Sequence, residues 1–207
     1  MAITVLIADD HFVVRSGLVA SLGLEADIAV VAEADAAAQV TELYRKHSPS
    51  VVLMDVRLGP GSDGITATAE LCAEFPDARV LMFSTHGRDE DVFRAVKAGA
   101  RGYLLKTAPR DELLRAIRTV ATGERYLPAA LADRLAERLS QPELSPRERE
   151  ILQLIRRGKS NKEIGTALFI AEDTVKRHVS NMLAKLDVAD RAEAVAEALR
   201  RGLLQEE

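Results

Sequence analysis

Through the first 122 residues, short β-branched and apolar runs at 3–8, 28–33, 51–54, 79–83 and 102–105 alternate with longer stretches of helical spacing. The helical stretches cover 12–22, 36–46, 64–74, 89–98 and 109–122. Strand followed by helix, five times over, predicts right-handed crossovers and hence a parallel sheet covered on both faces, a doubly wound α/β domain. After residue 122 the strand pattern stops. Gly123, Pro128 and Pro142 punctuate a linker that holds one short amphipathic pattern at 129–139. From residue 144 only helices are expected, at 145–157, 160–168, 172–186 and 191–201. Ser145-Pro146-Arg147-Glu148 combines an N-cap, a proline at the first helical position and a capping-box acid, which marks the start of a second domain. The expected organisation is therefore 1–122, a linker at 123–143, and a small all-helical domain at 144–207.

A length of 207 residues accommodates two small domains, and 47% hydrophobic against 29% charged residues is a globular balance. The longest apolar runs fall far short of the ~20 residues of a membrane span, and Met1 leads directly into a strand with no basic leader. One cysteine, Cys72, excludes an internal disulfide framework and fits a reducing compartment. A soluble, cytoplasmic chain with no membrane association is expected. Cys72 is expected to be buried in an apolar pattern with Ile65 and Ala69.

Charge sharpens the division. The net charge is −4, an average that weighs against nucleic-acid binding. Yet residues 1–122 carry 13 basic and 17 acidic residues, whereas residues 144–207 carry 12 and 11. Within the latter, residues 156–185 hold seven basic residues against three acids.

In doubly wound sheets the chemistry gathers at the carboxyl ends of the strands. Strand one ends in Asp9-Asp10 and strand three in Asp55, and these two strands are expected to be neighbours. Three carboxylates converging on one crevice raise one another's pKa unless a cation is present, and hard oxygen donors suit Mg²⁺. Strand four ends in Ser84-Thr85 and strand five in Lys106. A hydroxyl and an ammonium facing that cluster could hold the oxygens of a phosphoryl group carried on a carboxylate. His11, His47, His86 and His178 show no metal-ligand spacing, and no zinc site is expected.

Asp9-Asp10, Met54-Asp55-Val56, Ser84, and Lys106 ahead of Pro109 resemble the receiver domain of two-component response regulators. The resemblance implies a flavodoxin-like fold with Asp55 as phosphoacceptor, and Mg²⁺ held by Asp9, Asp10, Asp55 and the Arg57 main-chain carbonyl. It implies that Ser84 and Lys106 ligate the phosphoryl group and that Tyr103 is an aromatic switch turning inward as Ser84 moves. Arg57 and His86 stand at the rim, where relatives tune phosphoryl lifetime. One departure is visible: Pro60 lies five residues after Asp55, where the family usually places its proline four residues on.

The second domain reads as helix, tight turn, helix over 160–186. Val175, Val179, Met182, Leu183 and Leu186 form one apolar stripe, and Lys176, Arg177, Ser180, Asn181 and Lys185 lie on another face, suited to a DNA groove. The segments 144–150, 161–164 and 174–179 resemble the LuxR-type helix-turn-helix, and the two resemblances together point to the NarL/FixJ class. They imply base contacts from Lys176, Arg177 and Ser180, and phosphate contacts from Asn161, Lys162, Thr174, His178 and Lys185. The implied partners are a sensor histidine kinase, promoter double-stranded DNA and a second copy of the chain on activation, with RNA polymerase a candidate. The chemistry expected is Mg²⁺-dependent gain and loss of a phosphoryl group on Asp55, not turnover of a separate substrate.

Other readings fare worse. A phosphatase of the haloacid-dehalogenase type wants a second Asp two residues after the nucleophile, where this chain has Arg57. A nucleotide-binding module wants a glycine-rich turn where Asp9-Asp10-His11 stands. A regulator that binds DNA without phosphorylation shares every predicted element and stays open.

Overall fold

A computed structural model describes residues 2–59, 63–140 and 142–204. Strands β1 (Ile3–Ala8), β2 (Ile28–Ala34), β3 (Val51–Asp55), β4 (Val80–Ser84) and β5 (Gly102–Leu105) form one sheet in the order β2-β1-β3-β4-β5. Every pairing is parallel. Between them run α1 (Phe12–Leu22), α2 (Ala37–His47), α3 (Gly64–Glu74) and α4 (Asp89–Lys97), and α5 (Arg110–Ala121) follows β5. The doubly wound α/β expectation holds, with element ends displaced by a residue or two.

The reason lies in burial. All five residues of β3 and all five of β4 are buried, as strands covered on both faces must be. Val5, Ile7, Leu53, Leu81, Phe83 and Leu104 from the sheet pack with Leu113, Ile117 and Val120 of α5. The strand order brings the carboxyl ends of β1 and β3 side by side, with Ala8 opposite Met54, and those of β3 and β4 likewise, with Asp55 opposite Phe83.

One packing expectation needs correction. The inner face of α3 is Ile65, Thr68 and Leu71 with Gly64 and Ala67, whereas Ala69 is exposed and Cys72 only half-buried. A stripe traced through 65, 69 and 72 lies too far round the helix, because the core follows 64, 67, 68 and 71. Partial burial still pushes the Cys72 thiol up from its ordinary pKa.

The chain separates into two compact units, one ending at Gly87 and resuming over Asp91–Asp133, the other comprising Arg88–Glu90 and the chain from Arg134 onward. After α6 (Ala129–Ser140), the second unit carries α7 (Pro146–Arg156), α8 (Asn161–Leu168), α9 (Glu172–Leu186) and α10 (Arg191–Arg201). Its core joins Ile151, Leu152 and Ile155 of α7 to Ile164, Val175, Met182, Leu186 and Ala198. The Ser145–Glu148 capping box forms as expected, and Ser160–Glu163 makes a second one at the start of α8. No helix among the described residues is long and apolar enough to cross a membrane.

Candidate phosphoacceptor pocket and DNA-facing helices

Asp9, Asp10, His11 and Asp55 bring one potential ligand atom each to within 4.8 Å of one another. Asp9 and Asp55 are buried. Lys106 reaches in from the end of β5, its Nζ donating to Asp9 Oδ2 at 2.7 Å and to Asp55 Oδ2 at 2.6 Å. Burial pushes the Asp55 carboxyl up from its ordinary range, opposed by the hydrogen bond and charge of Lys106, with Asp9 adding to the rise. Burial pulls the other way on Lys106, but its bonds to Asp55 and Asp9 outweigh it and leave the ammonium raised. Lys106 thus bonds two of the three carboxylates. The donor set is hard oxygen, so these acids could hold a divalent metal.

The β1–α1 junction shapes this cluster. Asp9 Oδ1 accepts from the His11 amide at 2.9 Å, and His11 Nδ1 lies 2.8 Å from Asp10 Oδ1. His11 was not expected beside a metal site. It directly follows Asp9-Asp10 in the sequence, and the pairing of β1 with β3 is what adds Asp55 to the same cluster. On the other side, the Arg57 amide donates to Asp55 Oδ1 at 3.3 Å, and the main chain of Arg57 forms an isolated antiparallel β-bridge with that of Asp63. Asp63 caps α3 by accepting from Ile65 N and pairs with Arg94 of α4. A Cβ on Gly64 would lie 1.8 Å from the Asp55 carbonyl oxygen, so only glycine lets the chain return this close to the acceptor. Pro60, the residue that departs from the family pattern, lies outside the described residues, as do Gly61 and Ser62.

Ser84 is buried at the end of β4, its Oγ accepting from the His86 amide at 3.2 Å. Tyr103 is fully buried, its hydroxyl donating to the His86 carbonyl at 2.7 Å. Ser84 and Tyr103 therefore grip the same β4–α4 segment from two sides, with Tyr103 turned inward. The exposed His86 ring lies 2.8 Å from Thr85 Oγ1.

In the second unit, Val175, Val179, Met182 and Leu186 bury one face of α9, leaving Lys176, Arg177, Ser180 and Asn181 exposed and Thr174 and His178 half-exposed. Lys176 is raised above its ordinary pKa by Asp173 and then Glu172 on its own helix. Lys162 is exposed on α8. Two expected contact residues are engaged within the protein. Lys185 Nζ donates to Glu148 Oε2 at 2.8 Å, and Asn161 Oδ1 accepts from Arg191 Nη2 at 2.8 Å. Both partners arrive through tertiary packing, so the sequence of α9 or α8 carries no sign of them. Arg191, exposed at the start of α10 and bonded to Asn161, is the basic residue that the motif reading passed over.

Comparison with known proteins agrees with both halves. Residues 5–118 match the response regulator receiver domain, and residues 142–198 match the bacterial regulatory proteins of the luxR family. The transcriptional regulatory protein LiaR of Bacillus subtilis is 41% identical over 210 residues, covering 98% of this chain and 99% of LiaR. Among solved structures, the response regulator ChrA of a heme-sensing two-component system is 40% identical, with a TM-score of 0.57 over 98% of this chain and 99% of ChrA. The RcsB response regulator, solved as two dimers bound to two parallel DNAs, shares the fold at 22% identity, with a TM-score of 0.69 over 97% of this chain and 99% of RcsB. With a receiver domain followed by a LuxR-type helix-turn-helix, the chain belongs to the NarL/FixJ class of two-component response regulators, a family of transcriptional regulators whose receiver domain implies a histidine kinase as phosphodonor.

Proposed function

We propose that Asp55 is the phosphoacceptor of this regulator and that its modification promotes dimerisation and promoter binding through α9. The observation that carries the reading is Lys106 Nζ bridging Asp9 and Asp55 at the end of β5, with Ser84 ending the neighbouring strand β4. An Asp55 oxygen forms the O–P bond as the N–P bond of the kinase phosphohistidine breaks, the histidine nitrogen keeping the electron pair. Asp9, Asp10, Asp55 and the Arg57 carbonyl would hold Mg²⁺, which when bound offsets charge on the carboxylates and on the incoming phosphoryl oxygens. Lys106 neutralises one phosphoryl oxygen and Ser84 donates its hydroxyl to another. Drawing Ser84 towards the phosphoryl group frees the His86 amide, and the inward Tyr103 then favours the rearranged β4–α4 segment. Arg57 and His86 at the rim govern water access and so the lifetime of the acyl phosphate. The site gains and loses a phosphoryl group on the protein itself, without a separate substrate to turn over.

For DNA, Lys176, Arg177 and Ser180 are proposed to meet base edges, with Lys162, Thr174, His178 and Asn181 nearby and Asn161 presented together with Arg191. A single helix-turn-helix has a small footprint, so a symmetric dimer on two half-sites follows. RNA polymerase is the proposed downstream partner at the promoter, and the cytoplasm the proposed compartment.

Treatment with acetyl phosphate tests the reading. The wild type is expected to take up one phosphoryl group per chain and to bind DNA more tightly. Asp55→Asn is expected to take up none and to keep only the basal affinity. Full affinity in both proteins with and without acetyl phosphate would favour the rival, a regulator that binds DNA independently of phosphorylation.

A further inference from the structure

Arg15, on the first turns of α1, touches none of the pocket carboxylates yet fastens the backbone that carries two of them. Its Nη1 donates to the main-chain carbonyl of Asp9 at 2.6 Å, and its Nε to Glu33 Oε2 at 3.2 Å near the end of β2. Its side chain is 14% exposed, and Glu33 is its only carboxylate partner among the described residues. The Asp9 amide is held in turn by the Ala34 carbonyl at 3.1 Å, and the Arg15 amide donates to the His11 carbonyl at 3.0 Å. The peptide joining Asp9 to Asp10 is therefore tied through its carbonyl oxygen to α1 and, through the far side of the same guanidinium, to β2.

We infer that Arg15 is a positioning residue for the cation site: it fixes the Asp9–Asp10 peptide so that both carboxylates meet Asp55, with Glu33 setting the angle of the guanidinium. The inference rests on the metal reading above. Two physical effects of this arginine oppose each other. As a positive charge near an acidic cluster it should weaken cation binding by repulsion, whereas as an anchor it should strengthen binding by preorganising the ligands. Removing it therefore moves cation affinity in opposite directions under the two roles. Groups that orient metal ligands from behind typically change affinity by 10–100-fold when lost.

Calorimetric titration of MgCl₂ into the full-length chain, without phosphodonor, reads the difference. Arg15→Ala is expected to weaken Mg²⁺ binding about tenfold. Arg15→Lys should recover part of the loss, because one ammonium can reach the carbonyl but cannot also hold Glu33 in the same geometry. Glu33→Gln should shift affinity in the same direction by less. Urea unfolding without metal checks that each variant folds. Unchanged or tighter Mg²⁺ binding by a folded Arg15→Ala chain overturns the inference. If that variant does not fold, unchanged affinity in Glu33→Gln overturns it instead. A wild-type chain that takes up no Mg²⁺ defeats the metal reading and the inference with it, whereas wild-type binding with unaffected variants defeats Arg15 alone.

Discussion

Lys106 and Lys176 are both paired with two acids, and the contrast between them separates the two halves of the protein. Lys106 is 11% exposed and its partners come from β1 and β3, on distant parts of the chain. Lys176 is 55% exposed and its partners, Glu172 and Asp173, lie within one turn of its own helix. Buried charges brought together by topology are expensive to leave unpaired, whereas exposed pairs along a helix are weak and exchange readily for another anion. The pocket thus holds charge in one place, whereas the exposed pairs on α9 leave Lys176 able to exchange its local partners for the base edges proposed above.

Loss of Lys106 should show this most strongly. Lys106→Met leaves Asp9 and Asp55 facing each other in a buried site, and the receiver unit should lose about 3–5 kcal/mol without divalent metal. Added Mg²⁺ should restore part of that loss by binding the folded form. Urea titrations with and without MgCl₂ measure both, and an unchanged midpoint would erase the contrast.

Arg177→Ala should act on recognition alone. An exposed arginine on α9 that reads a guanine contributes about 1–3 kcal/mol of discrimination at one base pair, while thermal stability stays put. Binding to an array of single-base operator variants tests this. Equal loss at every variant would make Arg177 a phosphate contact instead.

Lys185 sharpens the comparison from the other side, since it lies on α9, the helix proposed to meet DNA, yet behaves like a pocket residue. Its partner Glu148 is buried, so Lys185→Met should cost about 1.5 kcal/mol of stability and leave the salt dependence of DNA binding nearly unchanged. Acid provides a second probe. Burial raises the Glu148 carboxyl, but Lys185 and Ser145 outweigh it and hold the pKa below its ordinary 4.5. That contribution is present above about pH 4.5 and is lost as pH falls towards the lowered value. Asp55 has the opposite sign: its raised pKa makes the charged form costly in the folded state, so acidification through that range relieves strain in the receiver. Glu25 and Asp27 of the same unit, held below their ordinary range by Arg110 and Arg118, have the Glu148 sign, so the Asp55 contribution is read by comparing acid titrations of the wild type and Asp55→Asn.

Much of this was legible beforehand because its signals are local. Alternating β-branched runs named the strands, and parallel-sheet rules alone put Asp9, Asp10, Asp55, Ser84 and Lys106 at one edge. The stripe on α9 and the Ser145–Glu148 box were readable from spacing. The Ser160–Glu163 box carries the same signature and went unread beside the motif it begins. What escaped depends on contacts between elements: Lys185 drawn to Glu148, Asn161 held by Arg191, and Arg15 behind Asp9. No periodicity marks such residues, since each differs from an ordinary exposed side chain only in what the fold sets opposite it.

The close return of the chain at Gly64 has a consequence for length variation. The Gly64 amide donates to the Val56 carbonyl at 2.9 Å, and Arg57 bridges to Asp63. The segment between them is thereby closed at its base, next to Asp55. Residues added or removed between those ties need not displace the acceptor. Pro60, which lies five residues after Asp55 where the family usually places its proline four residues on, falls in the sequence between those two ties, so the departure from the family spacing is taken up away from the acceptor.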